Sequence, residues 1–349
     1  MILGIESSCD ETAAALVDAE GGVHRNIIAS QLDLHGPYGG VVPELASRAH
    51  LRAILPVVES ALGDLSPQAL SGIAATNGPG LTGSLLIGTQ MAKTLAWVWR
   101  RPLVAVNHLH AHLLAPFLHP AAKEAGEKVR FPYVALLASG GHTALYRVES
   151  FDRFLLLGQT RDDAAGEAFD KAAKILGLGY PGGPLIDRYA AQGDPYAIDL
   201  PRPLLRSSAI EFSFSGLKTA LAQRIAKEGM PRSEDALADY CASFQRVVVE
   251  SLVQRTMAAA LAEKVGDLAL TGGVAANRGL RAALEKACAP RGMRLHCPAF
   301  EFCTDNAAMV AFAGWHALQK AGDQGMPEDA LEPYSRDPER KRGRFLRPS

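Results

Sequence analysis

Two stretches far apart in the chain follow one plan, and that plan limits the fold more than any other feature. ILGIESSCDETAAALV stands at the beginning of the sequence and YVALLASGGHTALYRV begins at Tyr133. In each, a short apolar run gives way to a compact polar cluster and then to a second apolar run. Short apolar runs bounded by polar turns are the pattern of buried strands. Two of them joined by a tight turn form a hairpin, and a third extends it into a meander. The first copy comprises Ile2 to Glu6, Thr12 to Val17 and, past a turn at Gly21 and Gly22, Ile27 to Ser30. The second comprises Tyr133 to Ala138, Thr143 to Val148 and Phe154 to Leu157.

Each meander is followed by alternating helix and strand patterns. A helix over Val42 to Leu62, a strand at Gly72 to Thr76, a helix near Ser84 to Trp99 and a strand at Leu103 to Val106 complete the first copy. A strand at Leu268 to Thr271, with helices on either side, belongs to the second. The chain is therefore read as α/β, built from two copies of one meander-plus-βα domain with a ligand cleft expected between them. A length of 349 residues is also long for one hydrophobic core. The Ala, Glu, Lys and Gly run around Ala121 to Arg130 marks the boundary, giving domains 1–128 and 129–349. The segment that carries Asp305 and follows it to the C-terminus is expected to return to the first.

The formal net charge is -1, which argues against a stand-alone nucleic-acid binder while allowing a local basic patch or a basic partner. Basic residues gather in SFSGLKTAL, around Lys218, and in RDPERKRGRFLR, Arg336 to Arg347. The cysteines Cys9, Cys241, Cys288, Cys297 and Cys303 are odd in number and form no CxxC pair. That argues against a disulfide framework or a cysteine-rich zinc site and fits a reducing compartment. The start, MILGIESSCDE, turns acidic at once, unlike an export signal, and no apolar run approaches the roughly 20 residues of a membrane span. A cytoplasmic protein without a membrane segment is expected.

The sharpest metal candidate is NHLHAH, Asn107 to His112. On a helix beginning there, His108 and His112 stand four residues apart on one face, while His110 points elsewhere. Two imidazoles so placed reach one divalent ion, but a site needs a carboxylate or open positions besides. The same pair also suits histidines that only satisfy buried hydrogen bonds. Asp305, in FCTDN at the start of an apolar helix, is the best acidic partner; with Thr304 as cap, it equally suits a first-turn carboxylate.

Several glycine-rich segments follow strands: GPGLTGS at Gly78, SGGHT at Ser139, YPGGPLID at Tyr180 and GGVAAN at Gly272. Each by itself is a tight turn; four in strand-to-turn context favour a nucleotide-like ligand whose phosphate meets backbone amides. None is a P-loop or a dinucleotide fingerprint. The acidic run DDAAGEAFDK is read as a helix bringing Asp163, Glu167, Asp170 and Lys171 to one broad face, either solvated or matched by a ligand. No relay of nucleophile and base stands beside Cys9 or Ser139, which favours a reaction without a covalent intermediate.

At these motifs the sequence closely resembles the tRNA N6-adenosine threonylcarbamoyltransferase family, the TsaD family of bacteria, formerly described as O-sialoglycoprotein endopeptidase. The likeness runs end to end, through GIESSCDETAAALV, GGVVPELASRAH, ATNGPGLTGSLLIG, NHLHAH, LLASGGHT, AAGEAFDKAAKILGLGYPGG, FSFSGLKTA, LTGGVAANRGLR and CTDNAAMVA. It implies an actin and sugar-kinase-like fold of two RNase H-like domains around a central cleft. It implies transfer of a threonylcarbamoyl group from threonylcarbamoyladenylate to adenosine 37 of tRNAs reading ANN codons. Metal ligands then fall on His108, His112 and Asp305, holding Fe(2+) or Zn(2+). Substrate contacts fall on Leu137, Ala138, Ser139, Gly140, Gly141, Asp170, Gly183, Asp187 and Asn277, with Glu11, Gly272 and Gly273 in support. Asp170 is the candidate orienting carboxylate. A TsaB-like paralogue, a TsaE-like ATPase and tRNA are the implied partners. The rival readings are an acetate- or sugar-kinase-like phosphotransferase on the same fold, a peptidase, for which HLHAH lacks the HExxH glutamate, and a non-catalytic scaffold subunit.

Overall fold

The computed structural model describes residues 1–123, 126–127, 129–202, 210–322, 325–326 and 331–336. The chain begins with strands β1 (Ile2–Glu6), β2 (Glu11–Val17) and β3 (Gly22–Ser30) and a one-turn helix α1 (Leu32–His35). Helix α2 (Pro43–Leu62), β4 (Gly72–Gly78), α3 (Thr82–Trp99), β5 (Leu103–Asn107), α4 (His108–Leu114) and the short β6 (His119–Pro120) follow. The second run is β7 (Tyr133–Ala138), β8 (Thr143–Ser150), β9 (Arg153–Gln159), α5 (Ala165–Ile175), α6 (Gly182–Ala190), α7 (Ser215–Glu228) and α8 (Glu234–Ala262). Then come β10 (Asp267–Thr271), α9 (Arg278–Cys288), β11 (Arg294–His296) and α10 (Ala307–Ala321).

Two units emerge. One holds Met1–Lys128, Ser150–Arg153 and the described residues from Pro298 to Arg336; the other holds Val129–Glu149 and Phe154–Cys297. Their sheets share one strand order. The first runs β5-β4-β1-β2-β3, with β6 added at its edge, and the second runs β11-β10-β7-β8-β9. In each, an antiparallel meander receives two parallel strands beside its first strand. The chain is thus the duplicated α/β fold that the repeated plan predicts.

In the first unit β1 pairs antiparallel with β2 and parallel with β4, which pairs parallel with β5. The carboxyl ends of β1, β4 and β5 therefore lie along one edge, where α/β sheets bind ligands. Both faces of this sheet are covered. Leu3, Ile5, Ile73 and Ala75 share a core with Ile54, Val57 and Ala61 of α2 and Ala92 and Ala96 of α3. On the opposite face α10 packs on β1, β2, β4 and β5 and touches α4. Two glycines set that close approach: a Cβ at Gly4 would strike the Ala307 carbonyl and the Ala311 amide, and one at Gly314 would strike the Ala74 methyl. Covering on two sides is why β1 reads as apolar up to its closing Glu6 and why all five of its residues are buried.

Strand β3 begins at Gly22, five residues before the expected Ile27, because its polar part, HRN, carries no apolar signal. The edge strand β11, with α1 and β6, was not expected from the pattern; each is too short for a period to show. Among the described residues no helix is long and apolar enough to cross a membrane. The basic tail read at Arg336 to Arg347 lies, after Arg336, outside the described residues.

Candidate metal centre and glycine-lined turns

Strand β5 ends at Asn107, whose side-chain oxygen accepts from the amides of Leu109 (2.8 Å) and His110 (3.1 Å) and so caps α4. That cap starts the helix at His108, placing His108 and His112 one turn apart, both buried. Asp305 arrives from the turn before α10. The cap of α10 is Asn306, which accepts from Met309 N at 3.0 Å, and not the expected Thr304. Asp305 therefore stands outside the helix, where its carboxylate reaches His112 Nε2 at 3.0 Å and His108 Nε2 at 3.6 Å. The imidazole rings meet edge to face, 4.7 Å between centroids. One ligand atom from each of His108, His112 and Asp305 lies within 4.8 Å of the others.

This donor set fits a divalent ion. Ligands about 2.0–2.1 Å from a tetrahedral metal stand roughly 3.4 Å apart. The 3.0 and 3.6 Å separations around Asp305 bracket that spacing. Two imidazoles and one carboxylate suit zinc with an open position, and equally ferrous iron. His110 is not part of the cluster.

Behind the ligands lies a residue that sequence reasoning missed. Glu6, fully buried at the end of β1, accepts from His108 Nδ1 at 3.0 Å. It also accepts from Ser8 N at 2.5 Å and from the Thr76 hydroxyl at 2.7 Å. The available signal was a charged residue closing a strand otherwise apolar throughout.

The electrostatics are those of a pocket with surplus negative charge. Burial works against charge on His108, but Asp305 and Glu6 outweigh it and hold the imidazole up at about 9. Burial lowers His112 below the ordinary histidine value despite its bond to Asp305. Burial raises Glu6, yet the charge of His108 and its hydrogen bond win and leave the carboxyl below its usual range. Glu11 is pushed up to about 10 by burial and by the carboxylates of Asp305, Asp10 and Glu6. Four acidic side chains acting on one another around two imidazoles is a setting that a cation relieves.

The second unit carries the expected substrate residues. Leu137 and Ala138 are fully buried in β7, so a ligand there meets backbone and not side chain. Beyond them Ser139 N donates to the His142 carbonyl (2.8 Å) and His142 N to Ser139 Oγ (3.2 Å), closing the turn to β8. A Cβ at Gly140 or Gly141 would meet nothing within 4 Å, so this turn faces open space. The start of α5 docks on it: Gly166 N donates to the Ser139 carbonyl at 3.1 Å and Ala165 N to Thr143 Oγ1 at 2.8 Å. At the neighbouring end of β10, Gly272 has φ +86 and lies against the Ala138 carbonyl, a place open only to glycine. Gly273 then opens a short 3-10 turn.

Asp170 accepts from Gly182 N at 2.7 Å, so one of its oxygens fixes the turn that presents Gly183 to open space. Asp187, buried, pairs with Arg278 at 2.8 Å. Asn277 caps α9 through Leu280 N (2.8 Å) and donates to Gln245 Oε1 (2.7 Å). Packing of α5 on α6 and on the Gly273–Ala276 turn ties these groups together.

The acidic run is not one helix face. Helix α5 starts at Ala165, so Asp163 precedes it. Lys171 pairs with Asp163 and Glu167 at 2.8 Å each. Asp162 instead accepts from the amides of Phe214 (2.7 Å) and Ser215 (3.2 Å), anchoring the start of α7.

Two sheets of one strand order, the first gathering two histidines and an aspartate at its carboxyl edge, define an actin-like protein of duplicated α/β build with a metal-type centre. Solved structures share the fold: component A of (R)-2-hydroxyglutaryl-CoA dehydratase from Acidaminococcus fermentans has a TM-score of 0.51 at 18% identity, covering 90% of this chain and 97% of that one. Full-length HypF has a TM-score of 0.59 at 13% identity, covering 93% of this chain and 47% of that one. The chain belongs to the tRNA N6-adenosine threonylcarbamoyltransferase family, TsaD, whose profile matches residues 22–312. The tRNA N6-adenosine threonylcarbamoyltransferase of Sorangium cellulosum (strain So ce56) is 55% identical over 323 residues, covering 90% of each chain. That of Geobacter metallireducens is 49% identical over 344 residues, covering 98% of this chain and 99% of its own.

Proposed function

We propose that this chain transfers the threonylcarbamoyl group from L-threonylcarbamoyladenylate to N6 of adenosine 37 in tRNAs reading codons that begin with A, releasing AMP. The observation that carries the reading is membership of the family, with relatives 55% and 49% identical over 90% and 98% of this chain. The His108, His112 and Asp305 cluster and the open glycine turns of the second unit support it.

The adenosine amine forms a bond to the carbamoyl carbonyl carbon, the bond from that carbon to the phosphate oxygen breaks, AMP leaves with the electron pair, and the amine gives up a proton. His108, His112 and Asp305 would hold one Fe(2+) or Zn(2+), which when bound supplies Lewis acidity toward phosphate or carbonyl oxygens. Backbone at Ala138 to Gly141 and at Gly272 and Gly273 approaches the adenylate phosphate without side chains in the way. Asp187 and Asn277 line the nucleoside side. Asp170 orients the threonyl group or the amine by fixing the Gly182 turn. Glu11 stands as a supporting acid beside Asp305.

The first unit also pairs with a TsaB-like paralogue, and a TsaE-like ATPase acts on the pair, in the cytoplasm where tRNA is found. Leu51 and Leu55 on α2 and Leu86, Trp97 and Val98 on α3 are exposed on two helices that pack together, the kind of apolar surface that a partner covers. Reconstitution with both partners, labelled threonine, bicarbonate, ATP, the enzyme that makes the adenylate and unmodified tRNA tests the reading. Label is expected in tRNA with the native chain. His108→Ala should lose both bound metal and transfer, and full transfer by that variant would overturn the metal role.

A further inference from the structure

We infer that Glu6 is a positioning residue of the metal centre: its buried carboxylate fixes His108 in the tautomer that presents Nε2 to the ion. The inference rests on the proposed His108, His112 and Asp305 site.

The argument is one of donors and acceptors. Glu6 Oε1 lies 2.5 Å from Ser8 N, and Oε2 lies 2.7 Å from Thr76 Oγ1 and 3.0 Å from His108 Nδ1. Ser8 N can only donate, and an ionised carboxylate can only accept. The hydrogen between Glu6 and His108 therefore sits on Nδ1. Ser8 Oγ, 3.2 Å from the same nitrogen, is a second oxygen on that side of the ring. With Nδ1 carrying hydrogen, the lone pair of a neutral imidazole is on Nε2, the atom that faces Asp305 at 3.6 Å. A carboxylate behind a ligating histidine fixes ring orientation and strengthens the ligand, and its loss commonly costs 10–100-fold in metal affinity. Three strands contribute to the device at one edge. Glu6 ends β1, Thr76 stands near the end of β4, and His108 follows β5 directly. His112 has no such support, for its Nδ1 is buried without a hydrogen-bond partner among the described residues.

Glu6→Gln makes the test specific. The amide has one acceptor, and Ser8 N claims it. The amide NH2 then faces His108 Nδ1 and drives the hydrogen to Nε2, the ligand nitrogen. Competition of Zn(2+) and of Co(2+) against a chromophoric chelator should show the dissociation constant of E6Q raised by about 10–100-fold. The Co(2+) absorption bands should shift at saturating metal. Thermal melts and circular dichroism of the metal-free proteins report folding separately, which a merely structural role would move without moving metal affinity. Unchanged affinity in a folded E6Q protein overturns the inference. Should E6Q not fold, Thr76→Val removes only the hydroxyl that supports Oε2: a raised dissociation constant supports the inference, and an unchanged one overturns it. A native chain that binds neither ion, or His108→Ala binding as the native chain does, would overturn the site itself and not the role of Glu6 alone.

Discussion

The metal cluster depends on single side chains that act on backbone as much as on one another. Asn107 is the clearest case: its oxygen holds two amides of α4, and its Nδ2 donates to Tyr334 OH at 3.0 Å. Replacing a capping Asn by Ala costs about 0.5–2 kcal/mol. Asn107→Ala is therefore expected to lower the melting temperature and to raise the Zn(2+) dissociation constant severalfold, since His108 is the first residue of the uncapped turn. Asn107→Asp keeps the acceptor and should restore most of both, as chelator competition and thermal melts would show; equal losses in the two variants would remove the cap from the account. At this scale the histidine pair was legible because a four-residue spacing has a geometric meaning on any helix. Asp305 was legible as the best acidic candidate, but equally as a first-turn carboxylate, and only the family resemblance chose between the two, because nearly 200 residues separate it from His112 and no local pattern spans that distance. Glu6 showed only as a charge closing an apolar strand. An acid at the end of a strand reads as the first residue of a turn, and only the fold shows that Thr76 and His108 close over it.

Elements were read well where a period or an unbroken apolar run had length to declare itself, as in β1, β7, α2 and α3, and poorly where tertiary contact makes the element. Strand β11 is such a case. Its three residues, Arg294, Leu295 and His296, join the sheet beside β10, and Asp267 of β10 accepts from Arg294 Nη2 at 2.6 Å and pairs with His296 Nε2 at 2.7 Å. Burial raises the Asp267 carboxyl, but Arg294 and His296 outweigh it and hold it below the usual aspartate value. A carboxyl whose value is lower in the folded chain stabilises that chain above the unfolded value, near 3.9, and loses its effect as pH falls through the folded value. Asp267→Asn should thus destabilise by roughly 1–3 kcal/mol near pH 6, having removed the carboxylate charge that Arg294 and His296 both meet. The gap between variant and native chain should persist down to about pH 4 and close below it. Denaturant melts across pH 2–7 measure this, and a gap independent of pH would mean that the carboxylate charge is not what holds β11.

The two-copy plan was visible because each copy repeats a strand, a polar turn and a strand, while the route of the chain through its units rests on packing. The described residues after Cys297 belong to the unit that holds residues 1–128, and α10 lies on β1, β2, β4 and β5 there. The first 128 residues alone lack both Asp305 and the cover over Ile2, Ala74 and Val104, all buried at present. A bare apolar sheet face of this kind aggregates. Joining 1–128 to 298–349 through a flexible linker returns helix and carboxylate together. That fusion is expected to be soluble and to take up one equivalent of Zn(2+) or Co(2+), which His108→Ala should abolish, while 1–128 by itself precipitates. It should carry no threonylcarbamoyl transfer, because the glycine turns at Ser139 and Gly272 belong to the other unit. Sedimentation, metal analysis and the labelled-threonine assay read the three expectations separately. A folded fusion that binds no metal would mean that His108, His112 and Asp305 do not suffice for a site, and that the ion requires groups from beyond the unit that gathers them.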